Sequence, residues 1–350
     1  MRVLAAVWDG SGNLPPLLGL VEALGARGHS VRVLAHRSQW ARLAAVGAEI
    51  MPYDNAGEFD IAAPQLQEGE HLGQWLTRFD QAAVSDLKDA VKALAPDVIV
   101  VDCMLPATLT VVNALDTPAV SYVHAAWGAF QSFGDYFRGP TEASALALVF
   151  SHPAFDTASA QAPLIWVGPA RGPALPDEWV RRRPDLPMVL ASLSAGQQGQ
   201  GPTLLRLADA LRSLNVESLL TTGRGYDPAT IPGGPNLSVV ALAPHEQVLK
   251  TADLLVTHAG HGTVMAGLAS GTPMLCLPGV GDQAYNSQRI AALGLGETLS
   301  PQATADEIAT AIVRILADGT MRARARAFAA TFAAQHPSLD AGLARLEALV

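Results

Sequence analysis

Thr257-His258-Ala259-Gly260-His261-Gly262-Thr263 begins where the apolar run Leu254-Leu255-Val256 stops, and a helical pattern follows it. Gly271-Thr272-Pro273 and Asp282-Gln283-Ala284-Tyr285-Asn286 come next. Glycines let backbone N–H groups approach a ligand closely. The helix start beyond them offers unpaired donors and the positive end of a dipole. Such a turn cradles phosphate, and His258 and Thr263 add side-chain donors to it. Asp282 and Gln283 then supply a carboxylate and an amide, a pair suited to sugar hydroxyls. The spacing points to a diphosphate joined to a sugar.

Outward from this turn, the chain alternates strand and helix. An apolar strand from Arg2 to Val7 leads into the loop Trp8 to Asn13. Pro15 and Pro16 suit a first helical turn, Leu17, Leu20, Val21 and Leu24 recur at helical spacing, and Gly28 ends the helix. Strands are predicted at 30–35, 98–101, 118–123, 188–193, 218–222, 237–240, 254–256 and 274–277. Continuous apolar runs such as Val98-Ile99-Val100-Val101 mark buried parallel strands. Thr304 and Glu307 form a capping box for a helix along Ile308, Ala311, Ile312 and Ile315. The proline- and glycine-rich stretch from Ala162 to Pro187 reads as a linker. The chain therefore divides into a first domain, 1–165, a linker, 166–187, and a second domain, 188–335. A C-terminal helix, 336–350, is a candidate to pack back on the first domain. Two doubly wound α/β halves with a cleft between their strand C-terminal ends are expected, since ligands in such sheets sit at those ends.

Composition excludes several classes. In 350 residues, 49% are hydrophobic and 16% charged, which supports a large core rather than disorder. A net charge of −9 without a basic cluster argues against nucleic acid as partner. The two cysteines, Cys103 and Cys276, form no CxxC pair, so neither a disulfide framework nor a structural zinc site is expected, which fits a reducing cytoplasm. No apolar run has the length of a membrane span.

The order His-x-Gly-x-Gly-Thr at 258–263, Gly-x-Pro at 271–273 and Asp-Gln-x-x-Asn at 282–286 resembles the donor-site signature of glycosyltransferase family 1, the nucleotide-sugar enzymes of GT-B fold. The resemblance implies two Rossmann-like domains facing across a cleft, with acceptor held by the first and nucleotide sugar by the second. It assigns the donor to Ser194, His245, Val248, His258, Gly260, Gly262, Thr263, Asp282 and Gln283. There the backbone around Val248 would pair with a uracil or thymine edge. An inverting transfer of a hexose from a UDP- or dTDP-sugar is implied, as in bacterial enzymes of natural-product and antibiotic biosynthesis. Because no Asp-x-Asp motif stands near a strand end, no metal or other cofactor is expected; the helix dipole and His258 would neutralise the diphosphate.

One element of the family pattern is missing. Many members carry a base histidine where this chain has Asn13, and a carboxamide cannot accept a proton at neutral pH. His124, after the strand ending at Val123, and Asp9, in the first loop, are the substitutes, with His124 preferred for its pKa of about 6.5. An acidic acceptor such as a phenol would need little base help. For the acceptor pocket, Trp75, Phe79, Trp127 and Phe130 are candidates, implying an apolar aromatic or polyketide-like acceptor; core packing accounts for them equally well. An NADP-dependent oxidoreductase is the main alternative. It rests on Gly10-Ser11-Gly12, with His36 and Arg37 placed to receive a 2′-phosphate. A non-catalytic sugar-nucleotide-binding homologue and an epimerase remain further alternatives.

Overall fold

The computed structural model describes residues 1–59, 72–130, 132–156, 163–169, 179–193, 196, 199–334 and 337–350. The chain forms two compact units, one of Met1–Pro173 with Pro337–Val350, the other of Ala174–His336.

The first unit runs β1 (Arg2–Ala6), α1 (Leu14–Ala26), β2 (Ser30–Leu34), α2 (Arg37–Ala45), β3 (Glu49–Met51), α3 (Leu72–Leu94), β4 (Val98–Asp102), α4 (Pro106–Val112), β5 (Ala119–Val123), α5 (Trp127–Phe130), α6 (Asp135–Glu142), β6 (Leu146–Val149) and β7 (Leu164–Trp166). Its seven strands lie in the order β3-β2-β1-β4-β5-β6-β7, every pairing parallel. Order reverses between β1 and β4, which makes the loops after those two strands the place where a ligand is received. Val3, Ala5 and Val100 pack one face of the sheet against α1, while Leu4, Ala6, Ile99 and Val101 pack the other against α3 and α4.

The second unit runs β8 (Met188–Ser192), α7 (Gly201–Arg212), β9 (Glu217–Thr221), β10 (Leu237–Val240), α8 (His245–Leu249), β11 (Leu254–Thr257), α9 (His261–Ser270), β12 (Met274–Cys276), α10 (Gln283–Ala292), β13 (Gly296–Thr298), α11 (Ala305–Ala317) and α12 (Gly319–Ala334). Six parallel strands follow the order β10-β9-β8-β11-β12-β13, with the reversal between β8 and β11. The capping box at Thr304 and Glu307 is formed. The chain then returns to the first unit as α13 (Leu339–Glu347), where Leu343 and Leu346 join the α1-side core.

Several expectations need correction. Leu164–Trp166, which runs into the stretch read as linker, is the edge strand β7. At the other end of that stretch, the Arg182 and Arg183 amides donate to Glu217 at 2.7 and 2.8 Å, so these residues are part of the second unit's packing. Gly134, at φ +77°, separates α5 from α6.

Candidate functional site

In the second unit, the donor-type residues converge where the sheet order reverses. His258 follows β11, and its neighbour Thr257 is in register with Ser192 at the end of β8. Ala259 holds a left-handed φ of +65°, a conformation non-glycine residues rarely adopt. Two bonds hold it there. Its N–H donates to Thr257 Oγ1 at 3.2 Å, and its carbonyl accepts from Asn286 Nδ2 at 2.9 Å. Strain maintained in this way collects at functional loops.

The two glycines act differently. A Cβ on Gly260 would lie 2.7 Å from Cε1 of His258, so the imidazole occupies the space a side chain would need. Gly262 is exposed, with no atom within 4 Å of such a Cβ, so its backbone is open to a ligand. Gly260 is the N-cap of α9, and the first helical bond runs from Val264 N–H to Gly260 O at 3.0 Å. The amides of Gly262 and Thr263 thus precede the helical ladder and supply donors at its positive end.

His258 is buried, and among the described residues its Nδ1 has no hydrogen-bond partner. Burial lowers its pKa to about 4, against smaller upward pulls from Asp282 and the Ser192 backbone. At neutral pH the ring is uncharged and offers one N–H. Asp282 is the N-cap of α10, yet its side chain makes no capping bond; it accepts from Asn286 Nδ2 at 2.7 Å. Gln283 Oε1 accepts from the Gly279 and Val280 amides at 2.8 and 3.2 Å, which fixes the loop ahead of α10. Asn286 thus links the strained Ala259 to Asp282. Ser194 lies outside the described residues.

His245 begins α8, half-buried, and burial holds its pKa at about 4. The expectation for Val248 needs correction. Its side chain is buried and its N–H donates to Pro244 O at 3.1 Å, so this amide is committed to the helix rather than open to a base edge.

In the first unit, Asp9, Asn13, Asp102 and His124 follow β1, β4 and β5. Asn13 is the N-cap of α1 by position, but its side chain makes no capping bond. Its Nδ2 instead donates to Asp102 Oδ2 at 2.7 Å and to Trp8 O at 2.9 Å. The other oxygen of the same carboxylate, Asp102 Oδ1, lies 3.0 Å from His124 Nε2. Asp102 is fully buried, while the His124 side chain keeps 16% exposure. Burial alone would lower the His124 pKa, but Asp102 and Cys103 outweigh it and raise it well above the usual 6.5. Tyr122 braces the loop by donating its hydroxyl to Asn13 O.

Asp9 has a different role. It is fully buried, accepting from Ser11 N at 3.2 Å and from Ser38 Oγ at 2.5 Å. Ser11 sits at φ +60°, so Asp9 stabilises a left-handed turn. That corrects its candidacy as base. Three of the four aromatic candidates also need correction. Phe79 is buried and Trp75 half-buried in a cluster with Phe59, while Trp127 and Phe130 are buried together beneath β5 and β6. Phe79, Trp127 and Phe130 are thus core residues, while Trp75 keeps part of its surface exposed.

Asp102 was missed by sequence reasoning; the available signal was a carboxylate closing the apolar run Val98 to Val101. Among the described residues, one cluster of metal-ligating type occurs. Asp102, Cys103 and His124 bring an oxygen, a sulfur and a nitrogen within 4.8 Å of one another. It belongs to the first unit. Cys103 and Cys276 are free, buried thiols. No described helix is long and apolar enough to cross a membrane. The oxidoreductase reading loses its anchor. His36 is fully buried among Tyr53, Phe59 and Phe79, and its Nδ1 accepts from Phe59 N at 3.1 Å. Arg37 pairs with Glu58 at 3.3 Å.

Comparison with known proteins agrees with this geometry. Residues 206–349 match the family described as erythromycin biosynthesis protein CIII-like, C-terminal domain, and residues 17–156 match glycosyltransferase family 4. The demethyllactenocin mycarosyltransferase of Streptomyces fradiae is 27% identical over 89% of this chain and 78% of its own length. The crystal structure of CalG4, the calicheamicin glycosyltransferase, superposes with a TM-score of 0.81 at 23% identity, covering 99% of this chain and 98% of that one. VinC, a glycosyltransferase crystallised with dTDP, superposes with a TM-score of 0.74 at 19% identity, covering 100% and 99% of the two chains. The chain has the GT-B fold and is a glycosyltransferase, an enzyme that transfers a sugar to a small-molecule acceptor, similar over most of its length to the glycosyltransferases named above.

Proposed function

We propose that this glycosyltransferase moves a hexose from a UDP- or dTDP-sugar to an apolar small-molecule acceptor, with inversion, without a metal, and with His124 as base. The observation that carries the donor side is the 257–263 turn. It joins a strained Ala259, a glycine cleared for His258, a glycine open to solvent and a neutral buried imidazole with a free nitrogen. These features serve an anion approached by backbone. The diphosphate would take the amides of Gly262 and Thr263 and the N–H of His258, and Asp282 with Gln283 would hold the sugar. The dTDP bound by VinC and the mycarosyl transfer in the Streptomyces fradiae relative's name support a pyrimidine-diphosphate donor and a natural-product acceptor.

In the reaction, the acceptor oxygen bonds to the anomeric carbon while the bond from that carbon to the diphosphate oxygen breaks. The nucleoside diphosphate leaves with the electron pair. The acceptor proton passes to His124, whose cationic form Asp102 stabilises. Base assistance of this kind is worth about 10²–10⁴ in rate. Helix-end amides and His258 take the charge of the leaving group, so no divalent ion is needed.

The test is transfer from UDP- and dTDP-glucose to a panel of phenolic and macrolide acceptors, with the anomeric configuration read by NMR. Turnover with inversion, unchanged by a chelator, is expected. Retained configuration, or activity abolished by chelator and restored by magnesium or manganese, would overturn the corresponding part.

A further inference from the structure

We propose that Asn286 couples the two halves of the donor site, setting the phosphate turn and the sugar-side carboxylate with one buried nitrogen. The proposal rests on the reading of the 257–263 turn and Asp282 as the donor site. Asn286 Nδ2 donates to Ala259 O at 2.9 Å and to Asp282 Oδ2 at 2.7 Å. Its two hydrogens are thereby divided between a backbone carbonyl after β11 and a carboxylate at the start of α10. Asn286 stands one helical turn beyond Asp282, on the same face of α10, and is fully buried. It is a positioning residue, because contact with the ligand falls to its two partners.

Both partners only accept hydrogen bonds, so the orientation of the amide is fixed: its nitrogen faces them and its oxygen faces away. That oxygen, Asn286 Oδ1, is buried without a partner among the described residues. An orphaned buried acceptor costs free energy, so the two donor bonds must outweigh it. The first bond holds Ala259 at its left-handed φ of +65°. In a trans peptide the next N–H points opposite to the carbonyl, so a fixed Ala259 carbonyl also fixes the Gly260 amide at the start of α9. The second bond ties one oxygen of Asp282 and leaves Oδ1 for sugar hydroxyls. Asp282 is also close enough to pull the His258 pKa upward. Removing the Asn286 amide therefore releases the phosphate side and the sugar side together.

The experiment titrates wild type, Asn286→Ala, Ala259→Gly and the double variant Ala259→Gly/Asn286→Ala by calorimetry. The probes are dTDP and dTDP-glucose, with UDP and UDP-glucose in parallel. Circular dichroism monitors folding. Asn286→Ala should bind the free diphosphate about two- to tenfold more weakly, the equivalent of one lost hydrogen bond. For the nucleotide sugar it should lose at least about tenfold more, because hydrogen bonds to a charged group are the stronger ones. Glycine adopts the left-handed turn freely. In the Ala259→Gly background the loss for the free diphosphate should therefore shrink below about twofold, while the sugar-dependent loss persists. A merely structural role weakens both ligands equally. Equal losses, or no loss in a folded Asn286→Ala, would overturn the coupling, and a diphosphate loss undiminished by glycine would refute the hold on Ala259. If Asn286→Ala does not fold, the double variant, relieved of strain, is compared with Ala259→Gly. An unchanged ratio of the two affinities there would refute the proposal. Wild type that binds neither diphosphate would overturn the donor-site reading itself, a result distinct from the others.

Discussion

Gly262→Ala separates a ligand-binding glycine from a structural one. A methyl group at this position meets nothing in the protein within 4 Å. The position lies in the first turn of α9, where alanine is the better helix former. The substitution should therefore leave stability unchanged or raise it, by up to about 0.5–1 kcal/mol. For a bound diphosphate the same methyl stands between the ligand and the Gly262 and Thr263 amides. Each hydrogen bond to a charged group is worth about 1.5–3 kcal/mol. Loss of one corresponds to about 10- to 150-fold in Kd. The assay pairs urea unfolding with calorimetric titration of dTDP and UDP. Wild-type or higher stability with affinity down at least tenfold is expected. Unchanged affinity would refute the claim that the ligand approaches the backbone here. Gly260→Ala is the contrast. Its Cβ would fall 2.7 Å from Cε1 of His258, so the ring must move, and both stability and affinity should drop.

Further consequences follow from the titrating groups and from packing. Because the His124 pKa is raised well above 6.5, its basic form appears only as pH climbs through that raised value. The acid limb of kcat should therefore lie above the usual histidine range, and Asp102→Asn, which removes the largest upward pull and leaves Cys103 alone against burial, should shift it downward; a limb at or below about 6.5 in the wild type would contradict this. His258 is held at about 4 in the free protein, and a bound diphosphate must raise it. Binding should then take up protons between about pH 5 and 7, beyond the uptake of His258→Ala, as read by calorimetry in buffers of different ionisation enthalpy. Equal uptake by both proteins would refute it. Gly342 in α13 has no room for a side chain, as a Cβ would enter the Val167 side chain and lie 3.2 Å from Leu148 Cδ2. Gly342→Ala should lower stability by about 1–3 kcal/mol despite better helix propensity, checked by urea unfolding.

Most of the fold was legible because buried parallel strands are short apolar runs set off by turn residues. Leu237–Val240 is delimited as predicted, and β1, β4, β5, β8, β9, β11 and β12 lie within a residue of their expected ends. The edge strands β3 and β13 were not foreseen, since three half-covered residues carry no periodicity. The donor turn was readable because its residues are consecutive. Asn286 was part of the motif, but its hold on Ala259 emerged only when β11 and α10 were placed together. The base pair was half legible. His124 could be picked by chemistry, whereas Asp102, 22 positions earlier, is brought to it by the pairing of β4 with β5. Of the aromatic candidates, Phe79, Trp127 and Phe130 are buried, which the sequence did not disclose because an aromatic residue in a helix does not itself say which side meets solvent.

The most direct test of the central claim is calorimetric titration of the purified protein with UDP, dTDP and NADPH, with His258→Ala as control. The account predicts binding of a pyrimidine diphosphate, weakened by His258→Ala, and no comparable binding of NADPH. Binding of NADPH alone would contradict it.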